Sequence, residues 1–173
     1  LEFRRVLFRS RMRENLDDLY IMSMPPTDLE IEDHIFMDNP LVVISSADHA
    51  LTKLKKLQLN DLASQKFILR ERGSGTRMAV DNYFKNRQFK PDLRMELGSN
   101  EAIREAVAGN LGIGVISKHA LTESVNRKDI KILSVENFPI QSAWHIVSRK
   151  GKHLPPIALY FKEHLINSVP ESI

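Results

Sequence analysis

Twice between Phe67 and Ala108 a short apolar run ends in a glycine–serine turn that opens a helix, and this pattern limits the fold more than any other feature of the chain. The first run is Phe67-Ile68-Leu69. It leads through Arg70-Glu71-Arg72-Gly73-Ser74-Gly75-Thr76-Arg77 into a helix on which Met78, Val80, Tyr83 and Phe84 form a stripe. The second is Leu93 to Leu97, ended by Gly98-Ser99-Asn100. The helix Glu101 to Ala108 follows, with Ile103, Ala106 and Val107 inward and Gly109 as a left-handed stop. Leu111, Ile113 and Val115 then alternate with Gly112 and Gly114 in another strand, and its glycines indicate close backbone approach on one face. Strands alternating with helices specify an α/β fold with largely parallel pairing.

The flanks fit the same class. Asp18 to Ser23 is expected as a buried strand stopped by Met24-Pro25-Pro26, and Leu41 to Ile44 as a strand after the Asn39-Pro40 turn. Leu59 to Ala63 has the pattern of one helical turn, and a short helix is expected near Lys118. Ile130 to Val135 and Ala143 to Ser148 are expected as strands. Pro155-Pro156 opens a final helix expected to pack Leu159, Phe161 or Tyr160, and Leu165 inward. Residues 1–10, LEFRRVLFRS, suit neither period, and their end matches what a common sequencing-adapter end encodes. They are taken as a cloning or assembly scar and left out of the fold, the other reading being a genuine basic helix start. A scar would mean a gene cut in mid-frame, with Met12 no start codon.

The 173 residues, 42% hydrophobic and 27% charged, describe a globular chain and exclude disorder, collagen and coiled-coil arrays. Leu41 to Ile44 and Leu111 to Ile116, the longest apolar runs, are far too short to span a bilayer, and the start has no secretory pattern. The absence of cysteine removes disulfides, thiolate metal sites and thiol nucleophiles, in keeping with a reducing cytoplasm. A net charge of +3, spread along the chain, forms no basic stripe for nucleic acid.

Six of the seven glycines lie between Gly73 and Gly114, so the special backbone is concentrated there. Turns of this kind present free N–H groups and the positive ends of helix dipoles at the carboxyl edge of parallel strands, where α/β sheets bind ligands. Arg70, Arg72 and Arg77 flank the first turn and suit phosphate or carboxylate. One reading is therefore an anion pocket. The other is that Ser, Thr and Asn merely cap helices. No phosphate-loop or dinucleotide motif occurs, and the six histidines show no metal-ligand spacing. Asp17-Asp18 and Glu32-Asp33 are adjacent acids that face different ways, Ser74 lacks a nucleophile elbow, and Trp144 is expected in the core. No catalytic constellation, metal site or cofactor is indicated.

The order DLYIMSMPP, NPLVVIS with DHAL, FILRERGSGTR, MELGSNEAIREAVAGNLGIGVIS and FPIQSAWHIVSRKGKHL resembles the effector-binding domain of LysR-type transcriptional regulators. Within that family it looks most like the regulators of Calvin-cycle ribulose-bisphosphate carboxylase operons. The resemblance covers Glu14 to His164. Asp48 to Leu51 and the strand from Gly112 carry the family, while GSGTR and ELGSNEAI carry the subgroup.

The resemblance implies a two-lobed α/β fold of the periplasmic-binding-protein type II, crossed twice by the chain. Residues 11–57 would belong to an incomplete first lobe, residues 58–140 to the second, and residues 141–173 to the return and the final helix. It implies an effector in the cleft, held by Gly73, Ser74, Gly75, Thr76, Ser99, Asn100 and Glu101, with Ser45 or Ser46 near the crossing. The effector would be a small anionic, phosphorylated metabolite whose binding biases lobe closure. It further implies a cytoplasmic regulator, not an enzyme, that meets DNA only through an absent winged helix-turn-helix and forms a homodimer or homotetramer at full length. An incomplete first lobe would expose an apolar face and make the fragment poorly soluble. A free-standing binding protein, or an enzyme on the same architecture, is the alternative.

Overall fold

Every side chain from Leu41 to Ser46 is buried, and an apolar run such as Leu41–Ile44 buried at every position needs a sheet covered on both faces. The computed structural model, which describes residues 3–121 and 129–168, supplies one. In chain order the elements are α1 (Phe3–Arg13), β1 (Tyr20–Met22), β2 (Ile31–Asp38), β3 (Leu41–Ser46), β4 (Lys66–Arg70), α2 (Gly75–Asn86), β5 (Asp92–Leu97), α3 (Asn100–Ala108), β6 (Ile113–Ser117), β7 (Ile130–Ile132), β8 (Ala143–Arg149) and α4 (Pro156–Ser168). Short 3-10 turns fall at Ala50–Lys53, Leu59–Leu62 and Lys118–Ala120. No helix among the described residues is long and apolar enough to cross a membrane.

The larger of two units, Pro40–Gln141, holds a five-stranded sheet in the order β5-β4-β6-β3-β7. Alternation sorts its side chains. Leu41 and Val43 join Phe67, Leu69, Val80, Phe84, Ile113 and Val115 in one core, to which α2 contributes. Val42 and Ile44 join Ile68, Ile103, Val107 and Ile116 in the other, to which α3 contributes. Pairing is mixed rather than largely parallel. β4 runs parallel to β5 and β6, but β3 is antiparallel to β6 and β7. The parallel ladders come from the strand–turn–helix segments, whereas β3 follows β2 after only Asn39-Pro40, with no crossover helix between them.

The glycines of the β6 region mark close approach, as expected. A Cβ on Gly114 would lie 2.8 Å from Cγ2 of Ile103, and one on Gly112 would lie 2.3 Å from the carbonyl oxygen of Lys66. Gly109 differs from expectation. Its φ is −72°, and the left-handed residue that ends α3 is Asn110, at φ 56°. Asparagine tolerates that region because its short side chain can bond locally.

The other unit, Leu1–Asn39 with Ser142–Ile173, holds an antiparallel sheet in the order β1-β8-β2. The chain passes between units at Asn39/Pro40 and Gln141/Ser142. Residues 40–57, expected in the first lobe, thus fall in the larger unit, where β3 sits between β6 and β7 and Leu57 bridges Val135. Met12, Tyr20 and Val147 form the small core. β1 is shorter and less buried than its apolar run indicated, with Tyr20 buried and Ile21 exposed. Residues 3–10, set aside on sequence grounds, are helical in α1, and Phe8 meets Tyr20 edge-on at 6.3 Å between centroids. Burial and Asp17 together push the Tyr20 phenol up to about 12. β2 carries no strand signal in the sequence because its polar residues face partners. Asp33 Oδ1 lies 2.7 Å from Nδ1 of His145, and Nζ of Lys162 reaches Glu32 at 3.4 Å. Glu32 and Asp33 do face different ways.

α4 reverses its expected inner face. Lys162 is buried and Leu165 partly so, whereas Leu159 and Phe161 are exposed, as are Ile157 at 75% and Tyr160 at 68%. Four large apolar side chains on one short helix favour association. Sedimentation of the chain is expected to show self-association that rises with concentration and falls in the variant I157K/Y160K. Identical profiles for the two proteins would exclude α4 as the cause.

Candidate functional site

Parallel pairing puts the carboxyl ends of β4 and β5 side by side, with Arg70 opposite Leu97, and the N–H of Glu71 continues the ladder to the Leu97 carbonyl at 3.1 Å. Both Gly-Ser turns therefore leave the sheet at one edge. In the first, Gly73 takes a φ of 89°, which glycine adopts without strain, and Ser74 N–H closes the turn on the Glu71 carbonyl at 3.2 Å. Ser74 Oγ then caps α2 by accepting from Arg77 N–H at 3.0 Å. In the second, Ser99 Oγ caps α3 by accepting from Ala102 N–H at 3.1 Å. Helix geometry leaves the N–H groups of Gly75, Thr76 and Asn100 with no carbonyl of their own helix to bond. The Oδ1 atom of Asn100 is buried without a hydrogen-bond partner among the described residues.

The three arginines have separate roles. Arg77 is 6% exposed and points into the protein. Its Nε donates to Asp81 at 2.9 Å, and its Nη1 donates to the Arg70 carbonyl and to Glu96, both at 2.8 Å. Burial alone would lower its pKa, but the bonds from Asp81 and Glu96 prevail and raise it, so the charge is secure. Arg70 pairs with Glu71 through two bonds, from Nε at 2.8 Å and from Nη2 at 3.0 Å. Arg72 is exposed, with Nε 3.7 Å from Glu96. The Glu101 carboxyl is held below the usual range, first by its own backbone N–H, then by the Ser99 hydroxyl, and also by the charges of Arg104 and Arg70. Arg70, the last residue of β4, lies opposite Leu97, directly before the second turn.

Ser45 and Ser46 stand apart from this group. Register aligns Ile44 with Gly114 and Gly114 with Ile68, so Arg70 lies two residues towards one edge of the sheet and Ser46 two residues towards the other. Ser46 Oγ bonds Oδ1 of Asn110, beyond the far end of α3, at 3.1 Å. The crossing at Asn39-Pro40 is at the Arg70 edge, not beside these serines, since Leu41 pairs with Ser117 at the end of β6. The sequence reading missed Ser117, buried at this edge, and the carboxylates Glu71 and Glu96 that neutralise the arginines. The alternating signs of Arg70-Glu71-Arg72 were the available signal. Trp144 is half-buried opposite Met37 at a bulge, and His145 is largely buried against Asp33. No cluster of potential metal ligands occurs among the described residues.

Comparison with known proteins agrees with the fold. The LysR substrate binding domain matches residues 7–169. The chain is 44% identical over 155 residues to the HTH-type transcriptional activator CmpR of a Synechocystis species, covering 90% of this chain and 51% of the relative. It is 40% identical over 161 residues to the RuBisCO operon transcriptional regulator of Acidithiobacillus ferrooxidans, covering 93% of this chain and 52% of that protein. The chain thus spans about half the length of these curated relatives, which are regulators and not enzymes. The Synechocystis CcmR regulatory domain, solved in complex with 2-PG, superposes with a TM-score of 0.88 at 41% identity, over 95% of this chain and 79% of that one.

Proposed function

Since this chain belongs to the LysR substrate binding domain family, with its two-lobed periplasmic-binding-protein-like fold, we propose that it senses a small phosphorylated acid for a regulator of carbon-fixation genes. The observation that carries the reading is the pair of serine-capped helix starts at one sheet edge, with Arg70 at the end of β4 beside them. Backbone N–H groups of Gly75, Thr76 and Asn100, with the hydroxyl of Ser74, are the donors for phosphoryl oxygens. Arg70 and Arg72 add charge, while Arg77 supports the turn from beneath. The 2-PG complex of the CcmR domain supports 2-phosphoglycolate as the first ligand to try. DNA contacts belong to another part of a longer cytoplasmic protein that works as a homodimer or homotetramer.

Calorimetric titration of the chain with 2-phosphoglycolate and with glycolate tests this. The phosphorylated acid is expected to bind saturably, and glycolate about tenfold or more weakly, the loss of at least one charged hydrogen bond. Equal affinities, or no binding of 2-phosphoglycolate, would overturn the reading.

A further inference from the structure

Arg70 and Glu71 are neighbours in sequence, yet their side chains turn to the same place and are only 15% and 10% exposed. A buried guanidinium needs a counter-ion, and Glu71 provides it through both carboxylate oxygens. The two bonds use the Nε/Nη2 edge of the fork. Nη1 has no partner among the described residues. The Glu71 N–H is itself tied to the Leu97 carbonyl, and the Arg70 carbonyl receives Nη1 of Arg77. Both main-chain flanks of the pair are therefore fixed, and the carboxylate sets the direction in which the guanidinium points. Arg70 alternates with Leu69, pairs with Leu97 and shares the face of Ile68 and Leu97, which is the face α3 covers, so the guanidinium leaves the sheet on the α3 side.

We infer that Glu71 is a positioning residue: it grips one edge of Arg70 so that the free Nη1 end meets the anionic group of a ligand held between the starts of α2 and α3. This rests on the effector reading above and adds to it a residue that touches no ligand. An arginine oriented in advance loses less side-chain freedom when it binds, so removing the carboxylate should cost affinity even though it removes a negative charge from the edge. Net charge alone predicts the opposite sign. Were Glu71 a competitor for Arg70, its loss would free the guanidinium and tighten binding.

The experiment is a double-mutant cycle read by titration with 2-phosphoglycolate, using the chain, E71Q, R70M and R70M/E71Q, with a thermal melt of each protein. E71Q is expected to weaken binding about tenfold, the scale of one charged hydrogen bond. In the R70M background the same change should do nothing further. An unchanged or tighter E71Q overturns the inference, and so does a loss that persists without Arg70, which would mark a merely structural effect. If the unsubstituted chain does not bind 2-phosphoglycolate, the effector reading and this inference fall together. If it binds and E71Q is neutral, only the inference falls. A measurement on the unsubstituted chain covers the case in which E71Q unfolds. The Arg70 Nε–H resonance should stay protected from solvent exchange when 2-phosphoglycolate saturates, because Glu71 keeps that edge. Loss of protection would mean that the ligand displaces Glu71, and would overturn the inference.

Discussion

Arg77→Ala is expected to cost about 2–4 kcal/mol of stability, below the full penalty for breaking a buried ion pair because Asp81 and Glu96 return partly to water. The side chain is 6% exposed and its fork is filled by Asp81, Glu96 and the Arg70 carbonyl, so it joins α2 to the ends of β4 and β5. Arg77→Lys keeps the charge but not the planar fork, and should recover less than half of the loss. Arg72→Ala, at an exposed side chain, should stay within about 0.5 kcal/mol. Urea unfolding of the variants measures all three. An Arg77→Ala midpoint equal to that of the parent chain would mean that Arg77 does not hold the turn, and would return it to the list of ligand contacts.

Gly112→Ala should be of similar size for a different reason. The added Cβ would lie 2.3 Å from the Lys66 carbonyl oxygen and 3.1 Å from its carbon, at a φ of +155° that side chains rarely adopt. The obstacle is backbone at the start of β4, so relief requires β4 and β6 to separate where they pair in parallel. Overpacking of this kind costs about 1–3 kcal/mol and occasionally more, and the backbone strain adds to it. Gly98 is the control, since a Cβ there meets nothing within 4 Å. Gly98→Ala should leave the melt unchanged, whereas Gly112→Ala should lower it by several degrees. Equal melts would show that β4 and β6 part at Gly112 without cost, and would contradict the close approach to Lys66.

The contrast between those glycines shows what the sequence could convey. Short continuous apolar runs and serine caps are local signals, so β3, β4, α2 and α3 and the two turns were legible from their own residues. The sharing of one edge by both turns was legible too, because it follows from parallel pairing. What escaped depends on partners distant in sequence. β2 has no assignment from sequence, because its own residues do not reveal that Lys162 and His145 supply mates for Glu32 and Asp33. The arginines looked like an open cationic cluster because composition does not reveal that Glu71, Asp81 and Glu96 already occupy two of the forks. Ser45 and Ser46 were placed by resemblance, and sheet register sets them at the opposite edge. For α4 the apolar residues were assumed to face inward, yet Lys162 takes that place with its ammonium on Glu32.

Titrating the amide-resolved spectrum of the chain with 2-phosphoglycolate tests the central claim most directly, since it locates the ligand without substituting any residue. The account predicts saturable shifts concentrated in Gly73 to Arg77 and Ser99 to Glu101, with the far edge at Ser45, Ser46 and Asn110 unmoved. Shifts centred on that far edge, or none at saturating ligand, would contradict it.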